Sequence, residues 1–165
     1  MKMIDVGAKP RTERVAVARG FVTMSAATVQ RIRAGEVEKG DVLAAARLAG
    51  VMAAKKTPDL VPLCHPIALS GVDVLAEPGP GGVAVEATVR TVDRTGVEME
   101  ALAAVSAALL TIYDMLKRYE RGMTIERIEL MEKRGGRSGH WTRAPRPPAA
   151  PPRGSGSRSR RRRAG

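Results

Sequence analysis

The fold class predicted by this sequence is α+β, an antiparallel sheet with helices packed on one face, and three features predict it. Residues 11–23 (RTERVAVARGFVT) alternate apolar and polar side chains as a half-buried strand does. Residues 67–77 and 83–92 read as two strands joined by Pro78-Gly79-Pro80-Gly81-Gly82, which makes them a hairpin. Between the strand segments lie Ala- and Leu-rich stretches bounded by capping residues, and helices inserted into an antiparallel sheet gather on one of its faces.

The elements follow in order. Ser25 caps a short helix that runs to about Ala34, where Gly35 ends it. Asp41 caps a second helix, VLAAARLAGVMAAKK. Lys55 and Lys56 occupy its last turn, where cations complement the helix dipole, and Pro58 prevents continuation. Thr95-Gly96 opens a long helix over about 97–120, with Gly122 placed to stop it. Residues 123–132 (MTIERIELME) predict the last strand, and the stretch from Lys133 to Gly139 closes the domain. No internal repeat is present.

Within 165 residues this organisation leaves one domain, residues 1–139, and a tail, residues 140–165. Hydrophobic residues make up 44% and aromatic residues only 2%, so the core must be built from Ala, Val, Leu, Ile and Met. No charge-free apolar run reaches the ~18 residues of a membrane span, so no membrane partner is expected. The N-terminus, MKMIDVGAKP, lacks the apolar stretch of a signal peptide. Cys64 is the single cysteine, which excludes an intrachain disulfide and suits a reducing cytoplasm.

The net charge of +11 belongs to the tail: from His140 onward there are eight arginines and no acid, leaving 20 basic and 17 acidic residues in 1–139. Rich in Pro, Gly, Ser and Arg, the tail predicts disorder. Arginines 160–163 suit non-specific contact with nucleic acid or another polyanion, and a dispensable solvated extension is the simpler expectation. With Trp141 as its only aromatic, it offers no series of platforms on which bases would stack.

Candidate chemistry starts near the end of the long helix, where Asp114 and Lys117 share a face one turn apart. Taken alone, such a pair is more often a structural ion pair than a site. Glu100 lies within about 40° of the same stripe, yet about 21 Å away along the axis. Side chains so separated either do unrelated jobs or meet across a subunit boundary, which would make the protein an oligomer. His65, in VPLCHP, is one of two histidines and suits acid–base work or hydrogen bonding to phosphate. Cys64 beside it cannot readily pair with it as a nucleophile, because neighbours on an extended segment point apart. One Cys and one His give no recognisable metal-ligand set, so no metal is expected. Lys39, before Gly40-Asp41 at a helix start, suits an anion, and Lys133, Arg134 and Arg137 form a glycine-rich basic loop able to wrap phosphate.

Four segments together resemble a known family: MIDVGAKPRTERVAVARG, KGDVLAAARLAGVMAAKKTPDLVPLCHP, RTGVEMEALAAVSAALLTIYDMLK and EKRGGRSG are similar to the molybdenum cofactor biosynthesis protein C (MoaC) family. The resemblance runs in order through nearly all of residues 3–139 and leaves out the arginine-rich tail. It implies a ferredoxin-like α+β fold assembled as a homo-hexamer, a trimer of dimers, in the cytoplasm. The implied substrate is a small molecule, a cyclised dihydroguanosine triphosphate, rearranged by general acid–base catalysis to a cyclic pyranopterin phosphate with loss of diphosphate. No organic cofactor is implied.

Carried onto this sequence, the resemblance makes Asp114 and Lys117 the catalytic pair and Lys39 a further required lysine. It gives substrate binding to Leu63, Cys64, His65, Met99 and Glu100, and makes Glu98 an additional carboxylate of an active site at a subunit interface. On that basis Lys117, desolvated and near other cations, exchanges protons with substrate while Asp114 orients it. Lys39 and His65 neutralise the phosphate chain, and Glu98 and Glu100 hydrogen-bond the ring. Lys39 and Asp114 are then candidates for opposite sides of the subunit boundary. Departures from the family pattern are Leu116 where Cys is usual, Gly7 where Ser is common and Asp93 where Gly is common.

Two readings from other classes compete. A nucleic-acid-binding protein led by the tail is disfavoured by the near-balanced charge of 1–139. A non-catalytic assembly domain leaves the coincidence of six polar residues with one family's site unexplained.

Overall fold

The computed structural model describes residues 1–145. The elements are β1 (Thr12–Thr23), α1 (Ala26–Ala34), α2 (Val42–Lys55), α3 (Thr57–Leu60), β2 (Leu69–Gly79), β3 (Gly82–Asp93), α4 (Glu98–Leu116), β4 (Thr124–Arg134) and β5 (Trp141–Thr142). All strand pairings are antiparallel, in the order β2-β3-β1-β4-β5. Without the two-residue β5 this is the βαββαβ, split βαβ arrangement of ferredoxin-like folds, with helices covering one face.

Local chemistry accounts for the elements. Ser25 accepts from the Thr28 amide to start α1, and Gly35 closes it in the left-handed region at φ 70°. Asp41 accepts from the amides of Leu43 and Ala44 to start α2. The hairpin turn is tighter than the five-residue segment predicted. Pro78 and Gly79 remain in β2, and Pro80-Gly81 alone makes the turn, with Gly81 at φ 77° as a type II turn requires at that position. Pro58 does not simply end a helix; it sits in the first turn of α3, where its missing N–H costs nothing.

Helix α4 ends at Leu116, about four residues before the predicted stop. The amides of Tyr119 and Glu120 both turn back onto the Leu116 carbonyl, at 2.8 and 3.1 Å. Side-chain bonds made by residues 119 and 120 to the first helical region draw the chain off the axis before Gly122 is reached.

The core is assembled from small residues, as the shortage of aromatics requires. Ala16, Ala18, Gly20 and Val22 of β1 and Val83, Val85, Ala87 and Val89 of β3 face the helices. Against them α4 presents Ala101, Ala104, Val105, Ala108, Leu109 and Ile112, an i, i+3, i+4 stripe, all fully buried. By length and composition α4 is apolar enough to cross a membrane, but half of that stretch is buried inside the domain. At Gly20 the side chains of α4 press directly on β1: a Cβ there would stand 2.6 Å from Leu109 Cδ1 and 2.8 Å from Val105 Cγ1. At Gly50 a Cβ would stand 3.1 Å from the Ala104 carbonyl, so α2 also lies close along α4.

Strand β4 is bulged twice against β1, and Arg127 takes φ 52° at the second irregularity. Trp141 and Thr142, in the segment predicted as a disordered tail, pair with Lys133 and Glu132 as β5. The remaining tail expectation, including the arginine cluster at 160–163, lies on residues 146–165, outside those described.

Replacing Gly20 by Val is expected to lower stability by about 1–3 kcal/mol through overpacking, and Leu109→Ala by about 2–5 kcal/mol through the cavity it leaves. The double variant should lose clearly less than the two together, because the truncation vacates the space the new side chain needs. Urea unfolding of the three proteins measures this.

Candidate active site

Two polar clusters form at opposite ends of α4. At its C-terminal end Asp114 receives two ammonium groups: Lys117 Nζ lies 2.7 Å from one carboxylate oxygen and Lys39 Nζ 2.6 Å from the other. Lys39 Nζ also reaches the Asp114 carbonyl at 3.1 Å. Hydrogen bonds from Lys117 and then Lys39 hold the Asp114 carboxyl well below the ordinary carboxylate range, at about 2. Lys39 comes from the connection between α1 and α2. Its expected place across a subunit boundary from Asp114 is therefore overturned, since the two touch within one chain. The anion it meets is Asp114 rather than one lodged on the α2 N-terminus, whose free amides are taken up by Asp41.

Side chains of all three residues are half-exposed, at 49%, 53% and 53% for Lys39, Asp114 and Lys117. The desolvation expected around the Lys117 ammonium is therefore not supplied by a single chain. Leu116, the departure beside it, is fully buried among the core residues and points away from the pair.

At the N-terminal end of α4 the remaining residues gather. Glu100 is 2% exposed; its Oε1 accepts from Cys64 Sγ at 3.5 Å, and its Oε2 is buried with no partner. Burial raises the Glu100 carboxyl above its ordinary range, with Glu98 adding a like charge. Burial, and then Glu100, push the Cys64 thiol up to about 11, so Cys64 is a poor nucleophile. As extended geometry predicts, His65 points elsewhere: its Nε2 donates to the Ile4 carbonyl at 2.7 Å. Leu63 and Met99 are exposed at the same end.

Beside Glu98 opens a cleft of about 390 Å³ lined by Lys9, Arg14, Arg94, Lys133, Arg134 and Arg137. The basic loop predicted from Lys133, Arg134 and Arg137 thus has a floor. Gly135 and Gly136, at φ 89° and 72°, let its backbone pass directly against Glu13 and the Arg14 side chain, where no Cβ would fit. Arg14 donates to the Arg94 carbonyl at 3.4 Å, while its buried Nε has no partner. Six cations around one carboxylate, with an unsatisfied guanidinium N–H, have the chemistry to receive an anion.

Lys9, Arg14 and Arg94 were not singled out in the sequence. Arg94 left a faint signal, standing just before the start of α4 where anions are favoured. Arg14 left none, because an arginine in a strand is ordinarily a solvated side chain. Among the described residues no group of three or more His, Cys, Asp and Glu is placed to hold a metal ion.

Residues 3–136 match the MoaC family. A cyclic pyranopterin monophosphate synthase of Thermomicrobium roseum is 58% identical over 144 residues, covering 86% of this chain and 87% of that protein. Synthases of the same name from Novosphingobium aromaticivorans and a Roseiflexus species are 57% and 59% identical. The first match covers 87% of this chain and 91% of its relative, the second 85% and 90%.

A carboxyl whose folded-state value is raised destabilises the fold as pH rises, because the unfolded chain releases that proton first. Glu100→Gln should therefore raise the thermal midpoint at pH 8 relative to the parent, with the gain shrinking toward pH 4, where both states hold the proton. Calorimetric scans across that range measure it.

Proposed function

The chain belongs to the MoaC family, and from that membership we propose that it is a cyclic pyranopterin monophosphate synthase that forms its product between two copies of itself. The substrate is the cyclised dihydroguanosine triphosphate implied by the family resemblance, and the products are the cyclic pterin phosphate and diphosphate. This is a phosphorus–oxygen lyase reaction of molybdenum cofactor biosynthesis, carried out by a cytoplasmic homo-oligomer, a hexamer by the same resemblance.

The observation that carries the reading is the separation of complementary parts. The acid–base cluster, Lys39, Asp114 and Lys117, and the ring- and phosphate-binding cluster around Glu98, Glu100 and His65 belong to opposite ends of one helix, about 21 Å apart by its rise. A single substrate needs both. Joining the C-terminal end of one protomer's α4 to the N-terminal end of another's satisfies that need and encloses the half-exposed lysines.

In such a site the six-cation cleft takes the triphosphate and offsets the charge that develops as diphosphate leaves. His65 adds a hydrogen bond. The unpartnered Oε2 of Glu100, on a carboxyl that burial biases toward its protonated form, meets a donor or acceptor on the guanine-derived ring, with Glu98 beside it. Asp114 stays ionised between two ammonium groups, so it serves as counter-ion and orienter. Lys117 is the group with a proton to give, and it regains one after transfer. Lys39 shares the carboxylate and keeps Asp114 from tying up Lys117 alone.

Incubating the protein with the cyclised intermediate and following diphosphate and cyclic pterin phosphate together tests the activity. Lys117→Ala should fold and bind substrate yet lose at least about 100-fold in turnover, the scale of a lost general acid. Mixing Lys117→Ala with Glu98→Gln under subunit exchange should recover part of the activity. Mixed oligomers without recovery would argue for a site within one chain.

A further inference from the structure

We propose that Tyr119 is a positioning residue for this reaction: its hydroxyl fixes the backbone next to Lys39 and so sets how Lys39 meets Asp114. The proposal rests on the assignment of Lys39 and Asp114 to the active site and adds a residue outside the family pattern carried onto the sequence.

The chain leaves the α4 axis just beyond Leu116. The amide of Lys117 bonds to the Tyr113 carbonyl at 2.9 Å, and that of Tyr119 to the Leu116 carbonyl at 2.8 Å. This turn throws the Tyr119 side chain toward the connection between α1 and α2. There its Oη accepts a hydrogen bond from the Glu38 amide at 3.0 Å, the residue immediately before Lys39. The ring is held from the α1 side by the Arg31 guanidinium, 4.6 Å from the ring centroid, within cation–π range. Arg118, next to Tyr119 in the chain, pairs with the Glu38 carboxylate.

The other side of Lys39 is fixed too. Gly40 takes φ 100° and its amide bonds to the Val37 carbonyl at 2.9 Å, and Asp41 caps α2. Lys39 therefore stands on a turn whose backbone is held at Val37 and Glu38 before it and at Gly40 and Asp41 after it. The Glu38 attachment comes from a side chain two residues beyond Lys117. One phenol thus ties together the two chain segments whose lysines converge on Asp114.

That tie matters because a lysine side chain is a flexible four-carbon stem. Where its ammonium rests depends on where the stem is rooted. The groups facing Asp114 are Lys117 from its own helix and Lys39 from the connection. Facing the phenol are Arg31 from α1 and the Glu38 backbone, with the Arg118–Glu38 pair alongside. Loosening Glu38 reaches the first group through Lys39, which adjoins it in the chain.

Tyr119→Phe keeps the ring and its stacking with Arg31 and deletes only the hydroxyl that accepts from Glu38. Turnover is expected to fall by about tenfold with little change in KM, since misplacement of a catalytic group by a fraction of an ångström acts on the chemical step. With Lys39 less well held, Asp114 retains less of the cationic field that keeps it ionised, so the acid limb of the kcat profile should move to higher pH. A carbon-13 titration of the Asp114 carboxyl reads the same change without activity, and should show its protonation at higher pH in Tyr119→Phe.

In a Lys39→Ala background Tyr119→Phe should produce no further shift in that titration. Glu120→Gln serves as the structural control. It weakens the bonds that Glu120 accepts from Ser25 and Thr28 at the start of α1, and should lower the thermal midpoint while leaving Asp114 where it was.

Parent-like turnover and an unmoved Asp114 titration in Tyr119→Phe would overturn the proposal, as would an equal shift with Lys39 already removed. A parent protein that makes no cyclic product would remove the functional reading as well. A productive parent matched by Tyr119→Phe in both measurements would remove this inference alone.

Discussion

The seating of α4 on the sheet governs everything else in this protein. Gly20 offers no Cβ where Leu109 and Val105 press against β1, and the alanines of α4 and β1 keep the layers close along the rest of the contact. Packing of this kind is set by van der Waals complementarity, so the helix has little freedom to slide or rotate. Both polar clusters are attached to this one rod. Its N-terminal turn carries Glu98 and Glu100, its last turns carry Asp114 and Lys117, and the distance between the clusters follows from helical rise.

Electrostatics divides the labour between the two ends. At the C-terminal end a carboxylate is surrounded by cations and remains charged. At the N-terminal end a carboxyl is buried beside a thiol and another acid and is biased toward neutrality. Two carboxyl groups on one helix thus hold different protonation preferences because one faces ammonium groups and the other faces the interior. That contrast suits a reaction in which a proton must be moved at one locus and a heterocycle recognised at another.

Much of this was legible in the residues. The caps at Ser25 and Asp41, the closing Gly35 and the alternation in β1 each act through neighbours a few positions away, so local chemistry is enough to read them. The same holds for Asp114 and Lys117, whose contact follows from their spacing. Lys39 was recognisable as important but not as the second ammonium on Asp114, because 75 residues separate them and only the fold closes that distance. The cationic cleft was half visible. Its glycine-rich basic loop stands out in the sequence, whereas Arg14 arrives from strand β1 and Arg94 from the residue just after β3, brought near each other by the pairing of the two strands.

Helix ends show the same division. Gly122 is a sound local stop signal, yet α4 terminates earlier because Tyr119 and Glu120 find partners in Glu38, Ser25 and Thr28. By itself the sequence determined the types and order of the seven main elements, the caps of α1 and α2 and the family to which the chain belongs, all of which are written in residue identity and short-range spacing. The tertiary structure decided which charges meet and which carboxyl is buried, and it divided the polar residues into two separate clusters. Coulomb attraction and desolvation depend on through-space distance and on what excludes water, and neither is a property of position along a chain.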